Sequence, residues 1–228
     1  MKRRIVLALA GTLIANSATA QRRTSSLDVT APDGAKLRAT YSSPGKPGPG
    51  VLLLHQCNMD RTAWTSLATA LADGGVHVLT FDYRGFGESP PGGRQNLSAD
   101  VDAAFAVLSG LSGVDKNRLG VGGASCGVNN AVQLARRNRR VKALLLLSGP
   151  TAPDGMAYLR EHRNIPIFAA ASSEEDFAVS SLRDVVGTST DPATHLEVVD
   201  KPGHGAPLFQ AEPGLLRAVV DWMKRVLR

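Results

Sequence analysis

Apolar runs and turn signals alternate along most of this chain in a regular order. LDVTA and AKLRATYSS alternate apolar and polar positions on either side of Asp33-Gly34, which predicts a hairpin. VLLLH, Val51 to His55, is apolar almost throughout, as expected of a strand covered on both faces. The pattern then predicts a helix over Trp64 to Leu71, a strand in VHVLTFDYRG, and a helix from Ser98 through Leu108. RLGVGGAS reads as a short strand and Cys126 to Arg137 as a helix. VKALLLLSG is a buried strand, Met156 to Arg163 a short helix, IPIFAAAS a strand, and Phe177 to Val186 a helix. THLEVVD is the last strand. The chain closes in a helix from Glu212, with Leu215, Leu216, Val219, Val220, Met223 and Leu227 on its inner side. A hairpin followed by alternating strand and helix predicts an α/β fold. It should be a three-layer α/β/α sandwich around an eight-stranded, mostly parallel sheet. No linker divides it, so residues 21–228 are expected to form one domain. Ligands of such sheets collect beyond the carboxyl ends of the strands, and candidate chemistry belongs there.

The first twenty residues do not fit this alternation. A basic start (MKRR), an apolar run (IVLALAGTLIA) and a small-residue end (NSATA) have the layout of a secretory signal peptide, with cleavage after Ala20. The other reading is an uncleaved membrane anchor, but the apolar run is short for a bilayer span. The expected location is therefore secreted or periplasmic, with no stable membrane insertion after cleavage. Loss of Lys2, Arg3 and Arg4 lowers the formal charge from +6 to +3. So mild an excess calls for no nucleic acid and no anionic membrane surface. Arg136, Arg137, Arg139 and Arg140 sit at a helix end, where cations complement exposed carbonyls. No clustered Cys/His ligand set and no G-x-x-x-x-G-K-[ST] loop is visible, so neither metal nor cofactor is expected. Nothing in the sequence sets an oligomeric state. Two cysteines, Cys57 and Cys126, permit one bridge in an oxidising compartment.

The stretch GGASCGVNNA places two possible nucleophiles side by side, Ser125 and Cys126. Gly123 and Gly127 bracket Ser125 as G-x-S-x-G between a strand and a helix. In such a sharp turn, the residues two before and two after the nucleophile must be small. Centring the turn on Cys126 would put Val128 at one of those positions, so the spacing selects Ser125. A serine hydroxyl needs a base, and the base needs a carboxylate to fix its tautomer. Glu174, Glu175 and Asp176 follow the seventh strand, and His204 follows the eighth. His77 and His195 lie near strand starts, His162 precedes the seventh strand, and His55 lies after the third.

On these residues the chain resembles the α/β-hydrolase family. The landmarks are VLLLHQCN, FDYRGFGES, GASCG, Asp176 and PGHG. The order Ser, acid, His is that family's order. The short interval between the sixth and seventh strands resembles the dienelactone-hydrolase branch, which often carries Cys as nucleophile where this chain has Ser. The short interval also implies no large lid. The resemblance implies Ser125 as nucleophile, His204 as base and Asp176 as acid, with Asp154 after the sixth strand as second candidate. Glu174 and Glu175 are expected to be solvated. The oxyanion donors are expected to be the backbone N–H groups of Cys126 and, by resemblance, Cys57, with Gln56 as the alternative. Those two backbones must converge on one oxygen, so a Cys57–Cys126 disulfide is geometrically open. The implied activity is hydrolysis of small to medium, soluble carboxylic esters through an acyl-enzyme. Amide, peptide or thioester cleavage, or a silent hydrolase-like binding protein, are the alternatives. Asp82 and Arg84 of FDYRGFGES are read as a structural turn. Trp64 is read as either core or pocket entrance.

Overall fold

In a computed structural model, which describes residues 23–228, the expected eight-stranded, mostly parallel sheet is present. The leader assigned to residues 1–20 lies outside the described residues. The strands are β1 (Arg23–Thr30), β2 (Lys36–Ser43), β3 (Gly48–Leu54), β4 (His77–Phe81), β5 (Val114–Ala124), β6 (Val141–Leu147), β7 (Ile167–Ser172) and β8 (His195–Val199). Their spatial order is β1-β2-β4-β3-β5-β6-β7-β8. β1 and β2 form the antiparallel hairpin, and β2 runs antiparallel to β4. All later pairings are parallel. At the hairpin turn Gly34 has φ +88°, a left-handed conformation that glycine adopts without a Cβ clash.

Strand alternation divides the core in two. Leu52, Leu54, Val121, Leu144 and Leu146 face one side. There they meet α2 (Leu97–Gly110), α3 (Cys126–Arg137), α4 (Pro153–Glu161) and α5 (Asp176–Val186). Val51, Leu53, Ala143, Leu145 and Leu147 face the other side. There they meet α1 (Thr65–Asp73), α6 (Leu208–Ala211) and α7 (Pro213–Val226). VLLL and LLLL have no polar face because both faces are covered, and all eight side chains are fully buried. Each buried leucine contributes about 1.5–3 kcal/mol relative to exposure. Trp64 is fully buried beside Phe209, so its role is in the core.

Several boundaries differ from the pattern-based reading. β3 begins at Gly48, inside the stretch read as a loop, because Gly48 can press against the Gly75 carbonyl where a Cβ would stand 2.3 Å away. α4 begins at Pro153, which suits a first helical position because its missing N–H would have no intrahelical partner. The connection between β6 and β7 holds only α4, with no inserted cap.

Candidate active site

β5 ends at Ala124, and α3 begins at Cys126. Ser125 alone makes the turn, with φ 52° and ψ −119°. A non-glycine residue in this region is strained and persists only when its surroundings hold it. Ser125 N–H donates to the Leu147 carbonyl at 2.7 Å, and Val128 N–H donates to the Ser125 carbonyl at 3.0 Å. The flanking glycines are sterically required. A Cβ on Gly123 would stand 2.1 Å from the Gly127 carbonyl oxygen, and one on Gly127 would stand 2.5 Å from that of Leu54. The small-residue requirement inferred around Ser125 therefore has a direct structural cause.

His204 lies in the loop after β8, and its Nδ1 is hydrogen-bonded to Glu175 Oε1. This corrects the expectation that Asp176 is the partner. Glu175 N–H donates to the Ser172 carbonyl at 3.0 Å, closing a turn after β7 that brings Glu175 inward. Asp176 is the first residue of α5, and its side chain is exposed. Glu174 is also exposed. Asp154, the second candidate, accepts from Gln133 Nε2 at 2.7 Å and pairs with Arg136 at 3.3 Å, so it is engaged on α3. The second Glu175 oxygen, Oε2, accepts from Ser148 Oγ at 2.7 Å. The Glu175 side chain is 19% exposed and that of His204 46%, so the carboxylate lies deeper than the imidazole it touches.

The α5 register carried a signal for Glu175. Ala178, Leu182 and Val185 are the buried residues of that helix. Stepping back three from Ala178 reaches residue 175, on the same face, while residue 176 lies about 100° away from it.

Gln56, considered as an alternative oxyanion donor, uses its side chain to hold the His204 loop. Its Oε1 accepts from Ala206 N–H at 3.1 Å, and its Nε2 donates to the His204 carbonyl at 3.3 Å. Gly205, at φ +68°, has no room for a Cβ, which would stand 2.2 Å from Gln56 Oε1. Two serines tie the loop after β7 to the same segment: Ser172 Oγ donates to the Lys201 carbonyl at 2.7 Å, and Ser173 N–H to that of Val199 at 2.8 Å.

Cys57 and Cys126 are joined by a disulfide, with Cα atoms 5.9 Å apart. The register explains the approach. Leu54 on β3 pairs with Gly123 on β5 in parallel, and each cysteine lies three residues further along.

His55, Asp82 and Arg84 are held by contacts within the protein. His55 is fully buried. Its Nδ1–H donates to the Gln56 carbonyl at 2.8 Å, and its Nε2 accepts from Tyr83 N–H at 3.0 Å. Burial pushes its pKa down, and both nitrogens are committed in the neutral form. Asp82 is fully buried. It accepts from Arg61 N–H at 2.7 Å, from Glu88 N–H at 2.9 Å, and from the Arg61 guanidinium. Arg84 pairs with Asp33 and Asp100 at 2.7 and 2.8 Å. The structural reading of that turn therefore agrees with the contacts.

Residues 49–177 match the family described as alpha/beta hydrolase fold. This chain belongs to the alpha/beta hydrolase fold family. Among curated relatives of this α/β-hydrolase, an uncharacterized protein of Mycobacterium tuberculosis is 33% identical over 224 residues. That match covers 86% of this chain and 76% of the relative. Among solved structures, an esterase of Pyrococcus furiosus superposes with TM-score 0.74 at 18% identity, covering 99% of both chains. A dienelactone hydrolase of Anabaena variabilis superposes with TM-score 0.74 at 17% identity, covering 91% of this α/β-hydrolase and all of that chain. At these identities the likeness is one of fold.

Proposed function

We propose that this protein is a serine hydrolase that cleaves carboxylic esters through an acyl-enzyme. The single observation that carries the reading is the contact between His204 Nδ1 and the Glu175 carboxylate, made in the loops that follow the last two strands. Committing Nδ1–H to a carboxylate leaves Nε2 as the proton acceptor, the tautomer that a general base requires. The strained backbone of Ser125, at the carboxyl end of the central strand β5, supports its assignment as nucleophile. The esterase and dienelactone hydrolase that share the fold are consistent with this class of chemistry.

In this mechanism His204 Nε2 takes the proton of Ser125 Oγ as the oxygen attacks the carbonyl carbon. Glu175 stabilises the imidazolium. The tetrahedral oxyanion is received by the backbone N–H groups of Cys126 and Cys57. The former opens α3, where helix geometry leaves the first N–H groups without intrahelical partners. Imidazolium then protonates the departing alkoxide, and an ester forms between the acyl group and Ser125. Water, deprotonated by His204, cleaves that ester and returns the serine. The lidless β6–β7 connection favours small to medium soluble esters over lipid surfaces. Export through the leader at residues 1–20 belongs to the same proposal, since a compartment that maintains disulfides would preserve the Cys57–Cys126 bridge.

A fluorophosphonate probe and a panel of p-nitrophenyl esters test the assignment. The expected result is labelling at Ser125, lost in Ser125→Ala and strongly reduced in His204→Ala, with turnover highest on short acyl chains. Unlabelled Ser125 in folded protein would falsify the nucleophile assignment. Turnover confined to thioesters or amides would replace the ester reading.

A further inference from the structure

We propose that Ser148 is a positioning residue that aims the Glu175 carboxylate at His204. The proposal rests on the assignment of Ser125, His204 and Glu175 made above. Among the described residues, Ser125 and Ser148 are the two non-glycine positions with positive φ, at 52° and 53°. They stand immediately beyond the ends of adjacent parallel strands, β5 and β6. A left-handed serine is disfavoured relative to glycine, and such residues persist where the surrounding structure imposes them.

The contacts of Ser148 show what the conformation accomplishes. Its N–H donates to the Ala170 carbonyl at 2.9 Å, which continues the β6–β7 pairing by one step. The chain then turns so that Gly149 packs against the Ser125 backbone, where a Cβ would stand 2.4 Å from the Ser125 carbonyl oxygen. The same turn directs Ser148 Oγ to Glu175 Oε2 at 2.7 Å, while Oε1 holds His204. Oε2 has one other contact, the Ser172 N–H at 3.4 Å, which is too long to fix it alone. A glutamate has one more rotatable bond than an aspartate. A second anchored oxygen removes the rotation that would otherwise swing the carboxylate off the imidazole. Ser148 is 2% exposed, so its hydroxyl is committed within the protein and not to bulk solvent. Glycine would relieve the backbone but would lack the hydroxyl, which explains why serine occupies a position suited to glycine.

The experiment compares wild type, Ser148→Gly, Ser148→Ala, Glu175→Gln, Ser125→Ala and the double variant Ser148→Gly/Glu175→Gln. The readouts are kcat and KM on p-nitrophenyl butyrate, the rate of fluorophosphonate labelling, and Tm. Ser148→Gly is expected to lower kcat and the labelling rate by about 10–100-fold, with KM within about threefold. Its Tm should change by no more than a few degrees, because glycine's ease at this φ offsets the lost hydrogen bond to Glu175. A residue with a merely structural role would not lose activity while keeping stability. Ser148→Ala should lose a similar factor in kcat. In the Glu175→Gln background, adding Ser148→Gly should cost less than about threefold more, since the two act as one unit. Full kcat in folded Ser148→Gly overturns the proposal, and so does an undiminished effect of Ser148→Gly in the Glu175→Gln background. Either result leaves the wider assignment intact if Ser125→Ala is inactive. Retained turnover in Ser125→Ala would overturn both.

Discussion

Opening the Cys57–Cys126 bridge should separate its effect on the unfolded chain from its effect on chemistry. The two cysteines are 69 residues apart in sequence. Chain-entropy reasoning for a loop of that length gives about 4.4 kcal/mol of stabilisation at 25 °C, as an upper value. Domains of this size lose roughly 2–4 °C of Tm per kcal/mol, so replacing both cysteines by alanine should lower Tm by up to roughly 9–18 °C. Against a typical total of about 5–15 kcal/mol, the bridge is a large share of the whole. The assay is a pair of circular-dichroism melts, oxidised wild type against Cys57→Ala/Cys126→Ala, with alkylated thiols counted by mass spectrometry.

A second consequence is catalytic. The bridge fixes the separation of the two backbones proposed to receive the oxyanion. In the folded fraction of the variant at 25 °C, kcat should therefore fall while KM changes little. Complete loss of one donor would cost on the order of 10²–10³ in rate, and a displaced donor less than that. A double-alanine melt within about 2 °C of oxidised wild type would refute the loop-closure reasoning. Two alkylatable thiols in the native oxidised preparation would instead show that the bridge is not formed.

Four further outcomes are expected. Glu175→Gln should lower kcat by about 10²–10⁴, whereas Asp176→Asn should stay within about twofold, and steady-state kinetics of the pair decides between neighbouring acids. Gln56→Ala leaves Ala206 N–H without its acceptor and should cost about 1–3 kcal/mol in a denaturant titration, with kcat reduced as the His204 loop loosens. Gly127→Ala puts a Cβ 2.5 Å from the Leu54 carbonyl oxygen, so it should abolish soluble expression or labelling of Ser125, and normal activity would contradict the elbow's steric account. Burial lowers the pKa of His55 and His77 in the folded state. Below the unfolded-state value of about 6.5 the unfolded chain therefore binds more protons, and stability held above that pH should fall on acidification, by at most about 1.4 kcal/mol per pH unit for each histidine. Melts between pH 8 and 5 check the sign, and a Tm that rises on acidification would contradict it.

The sheet was legible in the sequence because its signals are redundant. VLLL and ALLLL can be buried on both faces only inside a layered sheet, and a glycine or proline punctuates most connections. The placement of Ser125 between β5 and α3, and of His204 in the loop after β8, was legible because chain order alone tells which end of a strand each follows. The carboxylate that meets His204 was not, because three acidic residues in succession straddle the turn between β7 and α5 and local pattern does not say which of them the turn directs inward. Choosing among them requires the start of α5 and the geometry of the turn before it, in which Glu175 N–H donates to the Ser172 carbonyl. The cysteines posed the same kind of problem across a sheet. Their meeting depends on Leu54 standing opposite Gly123, and the register between parallel strands that are distant in sequence is absent from local pattern.

Local rules fail in one place in particular, and that failure is informative. Backbone propensity would put glycine at both positions 125 and 148, yet each holds a serine. Core packing cannot account for this, because a hydroxyl adds nothing to an apolar contact. Each serine follows a fully buried strand residue, Ala124 or Leu147, and Ser125 N–H is held by the Leu147 carbonyl. The strain is thus carried beside fully buried strand ends, where neighbours can impose it. What the two positions share is an oxygen delivered beyond the strand ends, one on the proposed nucleophile and one on the carboxylate that holds His204. Strain concentrated in this way fits the proposal that the geometry required beyond β5 and β6, and not backbone preference, dictates these two residues.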